Sequence, residues 1–144
     1  MFSRTSIYYF LSILLPVIVS IRRQSVGVKG KLLCGNQPLQ SATIVLSDED
    51  SGPEFDDKMA EGTTNAHGHF QIHGTEVEFT SIEPRLTILH KCNYKWICKR
   101  EVTFHIPRKY INHGKSVKKW FDLGTLNMET VFPGEEHNCF RIFW

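Results

Sequence analysis

The chain has 144 residues, with 17 Lys and Arg against 15 Asp and Glu, so its formal net charge is +2 with histidine neutral. A balance this even gives nucleic acid no basic footprint to bind, and the bases are spread across strands and turns instead of being gathered on one face. At this length, with 41% hydrophobic residues, the composition fits one domain with an ordinary core and excludes a multidomain machine.

The first element is a leader. Arg4 sits in a short polar start, a near-continuous apolar run follows from Ile7 to Val19, and Ser20 closes it. The run is short of the roughly 20 apolar residues that span a bilayer comfortably, so it reads as a secretory signal peptide cut after Ser20, with a retained membrane anchor as the alternative. The domain is then expected over 21–139, with an apolar tail over 140–144 (Phe140, Ile142, Phe143 and Trp144). Cys34, Cys92, Cys98 and Cys139 all follow the leader, the pattern of a chain exported to an oxidising compartment and bridged there.

Beyond the leader, apolar residues recur with period two in short runs rich in Val, Ile, Thr and Phe, punctuated by Gly, Pro and Asn. These predict strands near 25–33, 42–48, 68–73, 76–80, 85–92, 98–106 and 119–128, and no window offers two turns of apolar residues at helical spacing. The fold class is therefore all-β, a sandwich of about seven strands. Between Thr63 and Phe70, Asn65 and Gly68 supply the chemistry of a tight reversal into the next strand.

Four cysteines permit three pairings. The short link from Asn93 to Ile97 brings the ends of a hairpin close, which favours Cys92–Cys98 and leaves Cys34–Cys139.

Candidate chemistry is sparse. His67, His69 and His73 would align on one face of a continuous strand, but His67 falls inside the Gly68 turn, and a structural zinc site wants four ligands. The acidic stretch offers Asp48, Asp50, Asp56 and Asp57 as calcium ligands. It departs from the helix-loop-helix calcium pattern, because position twelve counted from Asp48 is Met59, not Glu; a charged loop guarding a sheet edge is the competing reading. No Gly-x-Ser-x-Gly elbow and no Asn-x-Ser/Thr sequon occurs. No catalytic residue, cofactor or firm metal site is expected.

Several fragments, weak singly, stand in a specific order. They are Gly30 to Cys34, Pro38, Ala42 to Leu46, Asp48 with Asp50, Asp56 to Met59, Thr64 with Gly68 and Phe70, and Gly74. Glu78 with Phe79, Ile82 with Pro84, His90 with Cys92, Ile106 and Pro107 with Tyr110, and Gly124 with Leu126 and Asn127 complete the set before Cys139. Together, over about residues 25–139, they resemble the nematode transthyretin-like family. The resemblance implies a transthyretin-like (prealbumin-like, Ig-like) β-sandwich, secretion to the extracellular space, and a packed or hydrogen-bonded role for His90. Some members of that family act as extracellular bridging or signalling factors, one type linking exposed phosphatidylserine to an engulfment receptor. The expected partner is accordingly an extracellular protein or a cell-surface ligand, with anionic phospholipid among the candidates. A carrier of small apolar ligands is the alternative. A hydrolase like the related hydroxyisourate hydrolases is disfavoured, because Ser25 to Lys31 holds no histidine and the chain ends Phe140 to Trp144 instead of Tyr-Arg-Gly-Ser. A hormone channel like transthyretin's, and the tetramer that makes it, are not expected either, because Asn93 to Ile97 is too short for the helix that follows transthyretin's fifth strand.

Overall fold

Alternate residues of Arg22–Cys34 explain why this strand, β1, lies at the centre of the first sheet. Gln24, Val26, Val28 and Leu32 are buried towards the core, whereas Gly27, Lys29 and Lys31 take the other face. These features appear in a computed structural model that describes residues 21–49 and 56–139. The leader (1–20), the tail (140–144) and Asp50 lie outside the described residues.

The first sheet has the order β2-β1-β5, with β2 at Gln37–Pro38 and β5 at His69–Glu78; β8 (Asn112–His113) and β9 (Trp120–Asn127) also pair with β1. The β1–β5 ladder is antiparallel and the β1–β9 ladder parallel. The second sheet, antiparallel throughout, runs β10-β7-β6-β3-β4, with β3 at Thr43–Asp48, β4 at Asp57–Thr63, β6 at Pro84–His90, β7 at Lys99–His105 and β10 at Glu136–Asn138. A single 3-10 turn at Arg108–Tyr110 is the only helical piece among the described residues. Val26, Val28, Leu32, Ile44, Leu46, Phe70, Leu86, Ile88 and Val102 from both sheets form the core. The all-β sandwich is as the sequence predicts.

Three details differ. The strands expected at 68–73 and 76–80 are one, β5, because Gly74 does not break it: a Cβ there would lie 2.7 Å from Met59 Cβ, so glycine admits the close approach of β4 at the sandwich edge. Second, β4 begins at Asp57, inside the stretch read as an acidic loop; its alternation is masked by Lys58, Ala60, Glu61 and Gly62. Third, the disulfides join Cys34 to Cys92 and Cys98 to Cys139, not Cys92 to Cys98 and Cys34 to Cys139. The β6–β7 ladder ends at His90 opposite Arg100, and Cys92 then turns into the core towards the end of β1. β10 pairs with β7 as far as Asn138 opposite Lys99, which brings the next residue, Cys139, beside Cys98. No sequence signal announced β10, and the expected pairing failed with it.

Candidate binding surfaces

On the outer face of the first sheet, register sets side chains in three rows across three strands: His73, Gly27 and Trp120; Gln71, Lys29 and Asp122; His69, Lys31 and Thr125. Glycine at 27 is required by the first row, since a Cβ there would sit 2.6 Å from the Trp120 ring. The indole packs over that gap and meets His73 in a T-shaped contact, with ring centroids 6.1 Å apart. The lower two rows border an open cavity of about 520 Å³ lined by Lys29, Lys31, His69, Gln71, Asp122 and Thr125, among others. Two ammonium groups and one carboxylate make it a polar, cation-rich hollow, unlike the enclosed apolar pocket a hydrophobic ligand prefers.

His67 is not part of this face. Asn65 Oδ1 accepts hydrogen bonds from the backbone N–H of His67 (3.0 Å) and of His69 (2.9 Å), closing the turn that keeps His67 out of line. The three histidines therefore do not converge.

Of the four candidate aspartates, Asp50 lies outside the described residues, and the other three are occupied separately. Asp48 is buried, and its Oδ1 accepts from Glu83 N–H at 2.6 Å, organising the β3 and β6 ends. Asp56 pairs with Arg85 at 3.3 Å, and a guanidinium beside a carboxylate opposes a cation there. Asp57 opens β4 opposite Asp48. Among the described residues no group of three or more His, Cys, Asp or Glu side chains stands close enough to hold a metal ion.

A second surface lies at the disulfide-tied end. Arg100, 5% exposed, spends all five guanidinium N–H groups on neighbours. Nε and Nη2 donate to the Glu135 carboxylate at 2.5 and 2.9 Å, Nη1 to the carbonyls of Cys92 (2.9 Å) and Met128 (2.7 Å), and Nη2 to that of Thr130 (2.9 Å). One side chain thus ties the β6–β7 loop, the end of β9 and the approach to β10. Its bidentate bond holds the Glu135 carboxyl below the ordinary carboxylate range.

Opposite Arg100 sits His90, whose Nδ1 accepts from Cys92 N–H at 3.1 Å. This packed, hydrogen-bonded position at a strand end is what the family resemblance implies for it. Burial first, and the Arg100 charge second, lower its pKa to about 4, so the ring is neutral with its proton on Nε2.

The loop these groups brace presents Trp96 and Ile97, 66% and 69% exposed, between Cys92 and Cys98, each bridged to a different strand end. Tyr94 stacks on His137 at 4.7 Å, and Lys91, Lys95 and Lys99 flank the apolar pair in sequence. Large apolar side chains held out on a braced loop make this end a candidate contact surface. Sequence reasoning weighed this segment only by its length; the adjacent tryptophan and isoleucine between two cysteines were the available signal. Arg100 and its partner Glu135 had none.

A family model described as the transthyretin-like family matches residues 29–107. Among curated proteins of Caenorhabditis elegans, transthyretin-like protein 33 is 43% identical over 117 residues, covering 81% of this chain and 82% of the relative. Transthyretin-like protein 46 is 42% identical over 132 residues, covering 90% of this chain and 74% of its own. Transthyretin-like protein 5 is 44% identical over 117 residues, covering 81% and 84%.

Proposed function

The chain belongs to the transthyretin-like family, and from that premise we propose that it is a secreted extracellular binding protein that engages a partner at cell surfaces. The observation that carries this reading is the pair Trp96 and Ile97, two-thirds exposed on a loop pinned from both sides by disulfides. An apolar pair immobilised in this way loses little conformational entropy on contact, so its burial converts efficiently into affinity. The leader and the two bridges support export.

The test uses fluorescently labelled protein on intact nematode cells in primary culture. Saturable binding is expected, weakened at least tenfold by Trp96→Ala with Ile97→Ala while circular dichroism stays unchanged; each aromatic or aliphatic anchor of this kind contributes about 1–2 kcal/mol. Binding that does not saturate, or that the double variant retains, would refute the reading.

Binding without catalysis is part of the proposal. Hydroxyisourate is expected to decay at its uncatalysed rate in the presence of the protein. Acceleration that disappears on replacing His69 and His73 would move the molecule to the enzymes.

A further inference from the structure

Among the described residues only two that are not glycine take a positive φ, Ser41 at 60° and Asn93 at 51°. Both border one cavity of about 380 Å³ at the disulfide-tied end. Serine rarely adopts this backbone conformation, and strained residues gathered around one hollow point to a site. Residues outside the lining hold its walls in place. Thr64 Oγ1 accepts from the Ala42 N–H at 3.0 Å and donates to the Leu39 carbonyl at 2.6 Å, while the Ser41 N–H donates to the Thr64 carbonyl at 3.0 Å. On the other side Asn93 Nδ2 donates to Glu129 Oε1 at 3.0 Å, and the Tyr94 N–H closes a turn onto the Lys91 carbonyl at 3.1 Å.

His90 borders the same hollow. Because its Nδ1 accepts from the Cys92 N–H, the ring proton sits on Nε2, and Nε2 is the one buried side-chain nitrogen or oxygen among the described residues without a hydrogen-bond partner. A donor buried in that state is costly, and an acceptor brought to it removes the cost. Lys91 and Lys99 also border the hollow, whereas no carboxylate does. Neither lysine has an ion-pair partner among the described residues. Leu39, Leu89 and the Cys34–Cys92 bridge make the rest of the lining largely apolar.

We propose that this cavity binds a small organic acid with an apolar body: His90 Nε2–H donates to its carboxylate, Lys91 and Lys99 balance the charge, and Leu39, Leu89 and the disulfide cover the hydrocarbon. The volume falls within the roughly 300–1,000 Å³ usual for small-molecule sites. A single buried N–H beside apolar walls suits a carboxylate, because a phosphate brings additional oxygens that would need buried donors of their own. Walls fixed before binding lose little entropy when the ligand arrives. Trp96 and Ile97 do not line the cavity, so this site and the proposed cell-surface contact stand or fall separately.

Hexanoate titrated into the full secreted chain, labelled with nitrogen-15, tests the assignment, with the imidazole nitrogens followed by nuclear magnetic resonance. Saturable binding is expected, with the His90 Nε2 resonance moving in step with occupancy. Hexanol, which has the apolar body without the charge, and inorganic phosphate, which has the charge without the apolar body, should each bind at least tenfold more weakly. His90→Asn keeps an acceptor for the Cys92 N–H but has no donor at the Nε2 position, and should weaken hexanoate at least tenfold. Replacing Lys91 and Lys99 together by methionine should weaken it about tenfold at low salt, and this pair carries the test should His90→Asn fail to fold. Four outcomes overturn the proposal: no saturable binding at millimolar hexanoate, binding that leaves His90 Nε2 unmoved, hexanol or phosphate bound as tightly as hexanoate, or affinity indifferent to the variants.

Discussion

At the scale of single residues, His90 governs how the domain responds to acid. The folded chain keeps the ring neutral down to about pH 4, whereas the unfolded chain takes up a proton near its ordinary pKa of 6.5. Its contribution to stability is therefore complete above 6.5 and is withdrawn as pH falls towards 4, by about 3 kcal/mol in all. Glu135 acts in the same direction at lower pH: its depressed pKa favours the fold above its ordinary value and ceases to do so as the carboxyl protonates. His90→Asn keeps an acceptor for the Cys92 N–H but does not titrate. Urea denaturation followed between pH 7 and pH 4.5 should show a clearly shallower decline for that variant, and an unchanged slope would remove His90 from this role. Glu135→Ala leaves the Arg100 guanidinium buried without its counter-ion and is expected to cost about 3–5 kcal/mol at neutral pH, more than a surface ion pair such as Lys58–Glu61 contributes.

Among the elements, what could be read in advance depended on whether a strand's neighbours lie close in sequence. β1, β7 and β9 carry period-two patterns because one face of each is the more buried, β3 and β6 are short apolar-rich runs buried on both faces, and all five strands were legible. So was the Asn65–Gly68 turn: Gly68 holds φ at 79°, and a Cβ there would lie 2.3 Å from the Leu32 carbonyl oxygen. Gly68→Ala must therefore both strain its own backbone and push β1, and a loss of at least about 2 kcal/mol is expected in denaturation, where a neutral result would contradict the geometry. β4 and β10 were not legible. β4 is an edge strand with exposed charges, and the three residues of β10 mean nothing until β7 is beside them. The cysteine pairing inherited that blindness, since hairpin proximity is a local argument and Cys34–Cys92 joins two sheets. The candidate surface on the outer face was hidden for the same reason: its rows exist only through the registers of β1 with β5 and β9.

For the molecule as a whole, the two bridges and the Arg100 knot lie at one end of the sandwich and depend on one another. Cys92 supplies both a sulfur to Cys34 and a carbonyl to Arg100, so oxidation fixes the backbone that the guanidinium needs, and the guanidinium in turn holds the loop that carries Trp96. In the chain-entropy model, loops of 58 and 41 residues give each bridge about 4 kcal/mol, too similar to rank the two. Burial ranks them instead. Cys92 lies in the core cluster while Cys139 is exposed, so replacing Cys34 and Cys92 by serine should lower the melting temperature further than replacing Cys98 and Cys139. This coupling ties the fold to oxidising conditions, which is the physical reason the proposed export would matter to it. Expression of the full chain in nematode or insect cells should yield a product in the medium that begins close to Ile21 and weighs four hydrogens less than its reduced form. Peptide mapping without reduction should recover Cys34 joined to Cys92 and Cys98 joined to Cys139. A cell-retained chain that still begins at Met1 would instead make the leader an anchor, and a peptide joining Cys92 to Cys98 would show the end of the sandwich to be tied differently.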